Sequence, residues 1–256
     1  MPQIMGIFNF GATLTSIPIL VLPIYYLYRS WSREDFGILP KLYYSSLTLV
    51  FVGNLYEHAT GYIGPPCLDT CGSASNLFLA AMMYGTWWDR KHNQLRKKHT
   101  KNEWIFKLPS PDSIMMLSIG LALASYAFGS YSLNLETFAL TYMFPFINLY
   151  VISIMGLLSY QDYVADIGSY IVREKDKVVT SWQLWKASVI LGGAVVTFVP
   201  LEKYTCSFLE DFSFLGLRGG ILYHALWLHL LIPIFLGCVS ELAFRLVAGV
   251  PNGKEC

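Results

Sequence analysis

The sequence predicts an all-α integral membrane protein. It reads as a bundle of seven transmembrane helices, N-terminus outside and C-terminus cytosolic, in one domain over 1–256 with a short cytosolic tail at 248–256. Three observations predict this. The chain is 54% hydrophobic and only 14% charged, with a mean hydropathy of +0.45, whereas a soluble domain carries about a quarter charged residues. Seven apolar runs recur along it, at about 7–28, 40–63, 70–88, 113–132, 138–159, 184–202 and 220–247. Sixteen of the eighteen Lys and Arg residues fall in alternate connections between those runs.

Each run is close to the roughly 20 residues that a helix needs to cross about 30 Å of hydrocarbon. No segment alternates with period two, which argues against a barrel. Backbone groups in lipid must bond within their own segment, so the runs are expected to be helices. The first run lacks a charged leading region and a small-residue cleavage site, so no cleavable signal peptide is expected. Pro18 and Pro23 inside it, and Pro145 in the fifth run, should bend or locally open their helices. Small residues cluster in "GSASN" (Gly72–Asn76), "ASYAFGSYS" (Ala124–Ser132) and "GGAVV" (Gly192–Val196), where they let helices approach closely. The longest cytosolic connections are expected at about 89–112 and 160–183, the second a solvated stretch of mixed charge.

Orientation follows from the cations. Arg29, Arg33, Lys41, the run "RKHNQLRKKHTKNEWIFK" (Arg90–Lys107), Arg173, Lys175, Lys177, Lys186, Arg245 and Lys254 share one side, against Lys203 and Arg218 on the other. The basic run reads as a topology signal that also touches anionic lipid. A net charge of +1 leaves no general field for nucleic acid. Seventeen tyrosines and seven tryptophans fit interfacial belts. Cys67, Cys71 and Cys206 fall on the external side, where disulfides persist; Cys206 with Cys67 or Cys71 would tie the second external connection to the third. Cys256, beside the membrane, is a lipidation candidate.

Ionisable groups at membrane depth ask for a reason. His92 and His99 lie in the basic connection and read as solvated. His58, His224 and His229 come out at a similar depth toward the outer leaflet, and Asp69 joins them at the start of the third run. Two readings stand. Neutral imidazoles are zinc ligands, and three of them plus water make a catalytic site in which a nearby carboxylate takes a proton. Alternatively each histidine caps a helix, bonds a tyrosine or meets interfacial water.

The stretch "GNLYEHATGYIGPPCLDT" (Gly53–Thr70) resembles the second-to-third helix signature of the CREST superfamily, which includes alkaline ceramidases, the lipid-remodelling proteins of GPI anchors, adiponectin-receptor relatives and the myomaker family. His58 and Asp69 keep the ceramidase spacing of eleven residues, while Asn54 stands where the ceramidases carry serine. Asparagine can hydrogen-bond a lipid carbonyl or a water but has no hydroxyl. "GGILYHALWLHLL" resembles the closing His-x-x-x-His signature, and "PLEKYTCSFL" the segment before it. Here Leu228 occupies the fourth position after His224, and His229 the fifth. Five residues turn about 500°, leaving the two about 140° apart on a regular helix. A π-bulge near Pro233 would realign them. Nothing acidic precedes Glu34, so the calcium-binding segment of the ceramidases is missing.

The opening "TLTSIPILVLP" (Thr13–Pro23), Arg29 soon after it and "LTLVFVGNLYEHA" look most like the myomaker family. That resemblance implies a plasma-membrane protein of myoblast fusion that binds lipid in an outer-leaflet cavity. Asn54 and Asp69 would line the cavity's polar end, and zinc, if held by His58, His224 and His229, would be structural or vestigial. Partners implied are membrane lipids, a second copy as homodimer and a fusion partner protein, with no nucleic acid. The alternative is a zinc-dependent, ceramidase-like lipid amide hydrolase, in endoplasmic reticulum or Golgi membrane, with Asp69 as the catalytic proton acceptor. A seven-helix receptor ranks last, because no receptor signature stands out.

Overall fold

The computed structural model describes residues 10–34, 36–60, 67–98, 108–129, 144–170, 179–209, 213–214 and 217–248. Among them are seven helices: α1 (Phe10–Trp31), α2 (Ile38–Thr60), α3 (Cys67–Lys98), α4 (Pro111–Gly129), α5 (Phe144–Tyr170), α6 (Ser181–Leu209) and α7 (Gly219–Ala248). The protein is all-α apart from a minimal hairpin before α7, in which β1 (Ser213–Phe214) pairs antiparallel with β2 (Leu217–Arg218). Among the described residues, one stretch, Leu230–Ala248 within α7, is long and apolar enough to cross a membrane by length and composition.

Local chemistry sets several helix ends. Ser110 Oγ accepts from the Ser113 N–H at 3.2 Å, with Pro111 in the first position of α4, where its missing N–H costs nothing. Thr180 and Gln183 form a reciprocal box at the start of α6: the Gln183 N–H donates to Thr180 Oγ1 at 3.2 Å, and the Thr180 N–H to Gln183 Oε1 at 2.9 Å. Pro145 falls in the first turn of α5, a tolerated position, rather than at an interior bend. Pro18 and Pro23 lie inside α1 and Pro233 inside α7. Helix α3 outruns the apolar run at 70–88 and continues to Lys98 through Arg, Lys and Gln, whose straight side chains favour helix.

Adjacent helices pack α1 on α2, α2 on α3, α3 on α5, α5 on α6, α6 on α7 and α7 back on α1, closing a ring. Helix α4 packs on α3, and α7 also touches α3 and α5 across the middle. The core runs through Tyr44, Met83, Met155, Leu158, Leu242 and Leu246. Glycines set two close approaches. Gly156 of α5 lies under the Trp185 indole, whose Nε1–H donates to the Ile152 carbonyl at 2.9 Å. Gly192 of α6 faces the Phe235 ring of α7, 3.0 Å from where a Cβ would sit.

Polarity is inverted relative to a water-soluble bundle. Ser16, Ser30, Ser46, Ser75, Ser159 and Ser240 are buried. Large apolar side chains face outward on six helices, among them Val21 on α1, Leu49 on α2, Leu123 on α4, Leu149 on α5, Ile190 on α6 and Ile234 on α7. Many hydroxyls bond a carbonyl of their own helix one turn back: Thr48 to Tyr44 at 2.7 Å, Ser159 to Met155 at 2.6 Å and Ser188 to Leu184 at 2.8 Å.

Ion pairs gather at one end, formed by the C-terminal turns of α1, α3 and α7 together with α5 and the start of α6. Glu241 of α7 accepts from Arg29 Nη1 at 3.0 Å, Arg245 Nε at 2.8 Å and the Tyr26 hydroxyl at 2.8 Å. Arg90 of α3 reaches Asp162 of α5 at 2.6 Å and the Leu246 carbonyl at 2.8 Å. Arg245 Nη1 donates to the Val179 carbonyl at 2.6 Å, ahead of α6. The Arg29 guanidinium also stacks on Phe244 at 3.9 Å. Tyr28 and Trp31 are exposed on α1 at this end.

Candidate functional site

At the opposite end, polar groups of two helices meet, and the backbone of a third reaches nearly the same level. Ser16 of α1, 2% exposed, donates from its Oγ to Asn54 Oδ1 of α2 at 3.3 Å. Two turns closer to the ion-pair end, α2 and α3 are joined by Ser46 and Ser75, whose Oγ atoms are 3.1 Å apart, and one turn from Asn54 by Gly72 beside Val50. With a rise of about 1.5 Å per residue, these contacts set the backbone of Asp69 within about 3 Å of the level of Asn54. So Asn54 and Asp69, the two residues expected to line a polar cavity, share a level with Ser16.

Helix α7 is tied to α2 where the Tyr44 hydroxyl donates to the Ser240 carbonyl at 2.9 Å. Counting from that contact, the backbone of His229 lies about 2 Å beyond the Asn54 level, His58 about 6 Å and His224 about 9 Å. The three histidine backbones thus spread over about 7 Å of depth, between one and two helical turns. Azimuth is a different matter. Helix α7 is α-helical throughout Gly219–Ala248 with Pro233 inside it, and the bulge that Pro233 invites is not present. His224 and His229 thus keep their separation of about 140° around the axis. A zinc site drawing on both imidazoles would have to bridge that angle on one regular helix.

His58 is half-buried near the end of α2 and engaged in a polar interaction. The side chains of Asp69, His224, His229, Cys67, Cys71 and Cys206 lie outside the described residues, although their backbones belong to α3, α6 and α7; Cys256 lies outside them entirely. Among the described residues no group of three metal-ligating side chains converges.

Two features escaped the sequence reading. Ser16 is the partner of Asn54, and its signal was a hydroxyl in an apolar run just before Pro18. The network around Glu241 was flagged only by a lone carboxylate in the last apolar run, which demands cations that the sequence does not identify. Compared with known proteins, the sequence matches no family model and no curated protein, and the fold matches no solved structure.

Proposed function

We propose that this chain is a multi-pass plasma-membrane protein of seven spans, N-terminus outside, that holds a bilayer lipid at the level of Ser16, Asn54 and Asp69 and remodels the outer leaflet in cell–cell fusion of the myoblast type. The observation that carries the membrane part is the inverted polarity: apolar side chains outward on six helices, serines inward, hydroxyls returned to their own helices. In water such a surface drives aggregation, whereas in hydrocarbon it is the favourable arrangement and unpaired hydroxyls are costly. The gathering of ion pairs at one end agrees with the cytosolic side assigned by the cations.

Fusion is supported by the likeness of the Thr13–Pro23, Leu47–Ala59 and Gly53–Thr70 stretches to the myomaker family. The short connections from α2 to α3 and α6 to α7 leave little to bridge two membranes, so the reading includes a second copy or a partner protein. Two dye-labelled cell populations expressing the chain, alone and with a fusion-competent line, test it. Mixed cytoplasm supports the reading; unchanged mixing in both settings overturns it. The similar depth of His58, His224 and His229 favours a second reading, a zinc-dependent lipid amide hydrolase with Asp69 as proton acceptor. Turnover of labelled ceramide in micelles that is lost in His58→Ala would support that one instead.

A further inference from the structure

Helices α5 and α6 meet along an aromatic seam toward the ion-pair end. Trp185 lies over Gly156. One turn nearer that end, Trp182 stacks on Trp185 at 4.6 Å and meets the edge of Tyr160 with ring centres 5.5 Å apart. Lys186 is exposed on the outward side of α6, with its ammonium 5.4 Å from the centre of the Trp182 ring. The exposed side chains around it are apolar: Leu157 and Val164 on α5, Val189 and Ile190 on α6. Gly192 under Phe235 fixes the depth of Lys186. Counted six residues back along α6 and six forward along the antiparallel α7, its backbone comes level with Glu241, about 8 Å nearer the bilayer centre than the Leu246 carbonyl.

At that level Glu241, inside the bundle, is neutralised by Arg29 and Arg245. Lys186, on the outside, meets no carboxylate among the described residues; its contact is a ring. A cation whose backbone lies in an apolar run facing hydrocarbon is costly unless its head reaches the interface and an anion there. The Trp182 contact turns the Lys186 side chain one helical turn toward the cytosolic headgroups, where phosphate is the abundant anion. We propose that this face of α5 and α6 is a binding site for an anionic glycerophospholipid of the cytosolic leaflet, with its phosphate on Lys186, its headgroup against Tyr160 and its acyl chains along Leu157 and Ile190. The cytosolic leaflet is the one that carries net-negative lipid. A zwitterionic head brings its own cation to the phosphate. Trp182 is already taken up by Trp185, Tyr160 and the ammonium, which closes it to a quaternary amine. The site rests on the membrane-spanning reading above. It lies at the end opposite the Ser16–Asn54 level and is separate from the lipid held there.

The full chain in nanodiscs of phosphatidylserine and phosphatidylcholine in equal amounts, released and followed by native mass spectrometry as collision energy is raised, tests the site. Phosphatidylserine is expected to be retained about fivefold over phosphatidylcholine, the weight of one cation near the membrane surface. Lys186→Gln is expected to remove most of that preference and Lys186→Arg to keep it. Lys41→Gln removes a cation seated on Trp31 at the α1–α2 corner and is expected to leave the preference unchanged. Equal retention of the two lipids by the native chain overturns the site. So does a preference that survives Lys186→Gln, or one that falls as far in Lys41→Gln. Each of these results, obtained on chain embedded in nanodiscs, leaves the membrane-spanning reading standing. A chain that stays out of nanodiscs and remains dispersed without detergent overturns both. The native chain alone decides the first comparison, so a variant that fails to fold does not protect the proposal.

Discussion

Replacing Gly156 by alanine isolates a single contact whose size can be worked out. An added Cβ would stand 2.7 Å from Trp185 Cε2 and 2.9 Å from Cζ2 and Nε1. Carbon pairs are comfortable at about 3.5–4.0 Å, so the indole must retreat by about 1 Å. It is held on its far face by Trp182, stacked at 4.6 Å with planes 9° apart, and at its edge by the hydrogen bond to Ile152. Overpacking of this kind costs about 1–3 kcal/mol, and losing the indole hydrogen bond about 1 kcal/mol more. The helix propensity of alanine returns about 1 kcal/mol. Gly156→Ala is thus expected to lose about 1–3 kcal/mol net. Gly193→Ala, in open space on α6, is expected to be neutral or to gain up to about 1 kcal/mol. Denaturing-detergent titration in mixed micelles, followed by tryptophan fluorescence, measures both. Equal stability of the two variants would refute the close approach, and a cycle with Trp185→Ala should return most of the loss.

Further outcomes follow from the same geometry. Ile190, 72% exposed on α6, is expected on substitution by Arg to lower membrane insertion by about 2.5–3.5 kcal/mol if it faces mid-bilayer; an insertion assay in microsomes reads this, and a neutral result would return α6 to water. Arg90→Lys keeps the charge but cannot span Asp162 and Leu246 together, so a loss of about 1–2 kcal/mol is expected in the same titration. Glu241→Gln leaves Arg29 and Arg245 without their carboxylate; as these groups are partly exposed, about 2 kcal/mol is expected, and a double-mutant cycle with Arg29→Gln should show strong coupling. Removing zinc with a chelator is expected to leave content mixing in the fusion assay unchanged, since the fusion reading routes no step through a metal; abolition by the chelator and rescue by added zinc would move the function to the hydrolase reading.

Helix positions were legible because each needs a run of apolar residues, and those runs lie within about three residues of α1, α2, α4 and α7, whereas α6 ends seven residues beyond its run and α5 starts six residues after and ends eleven beyond its own. The end of α3 was not, because hydropathy marks where apolar character stops while helix geometry continues through Arg90 and Lys91. The small-residue stretches were read as packing surfaces, and Ser75 on Ser46 and Gly192 under Phe235 are such contacts. Asn54 and Asp69 were grouped by resemblance, and their common level emerges from contacts between α2 and α3. What composition could not give is register. Nothing local to Glu241 says that its cation is Arg29, 212 positions earlier.

The reach of Arg90 has a consequence for how the chain is built. Its two acceptors lie 72 and 156 positions later, so during synthesis the guanidinium waits for α5 to bring Asp162 and for α7, the last helix, to bring the Leu246 carbonyl. Arg29 waits longer still, for Glu241 in that last helix. The final helix thus acts as a keystone: until it docks, Arg90 holds Asp162 of α5 but not the Leu246 carbonyl, and Arg29 lacks Glu241. A chain stalled before Glu241 would lack the carboxylate that ties the first helix to the last.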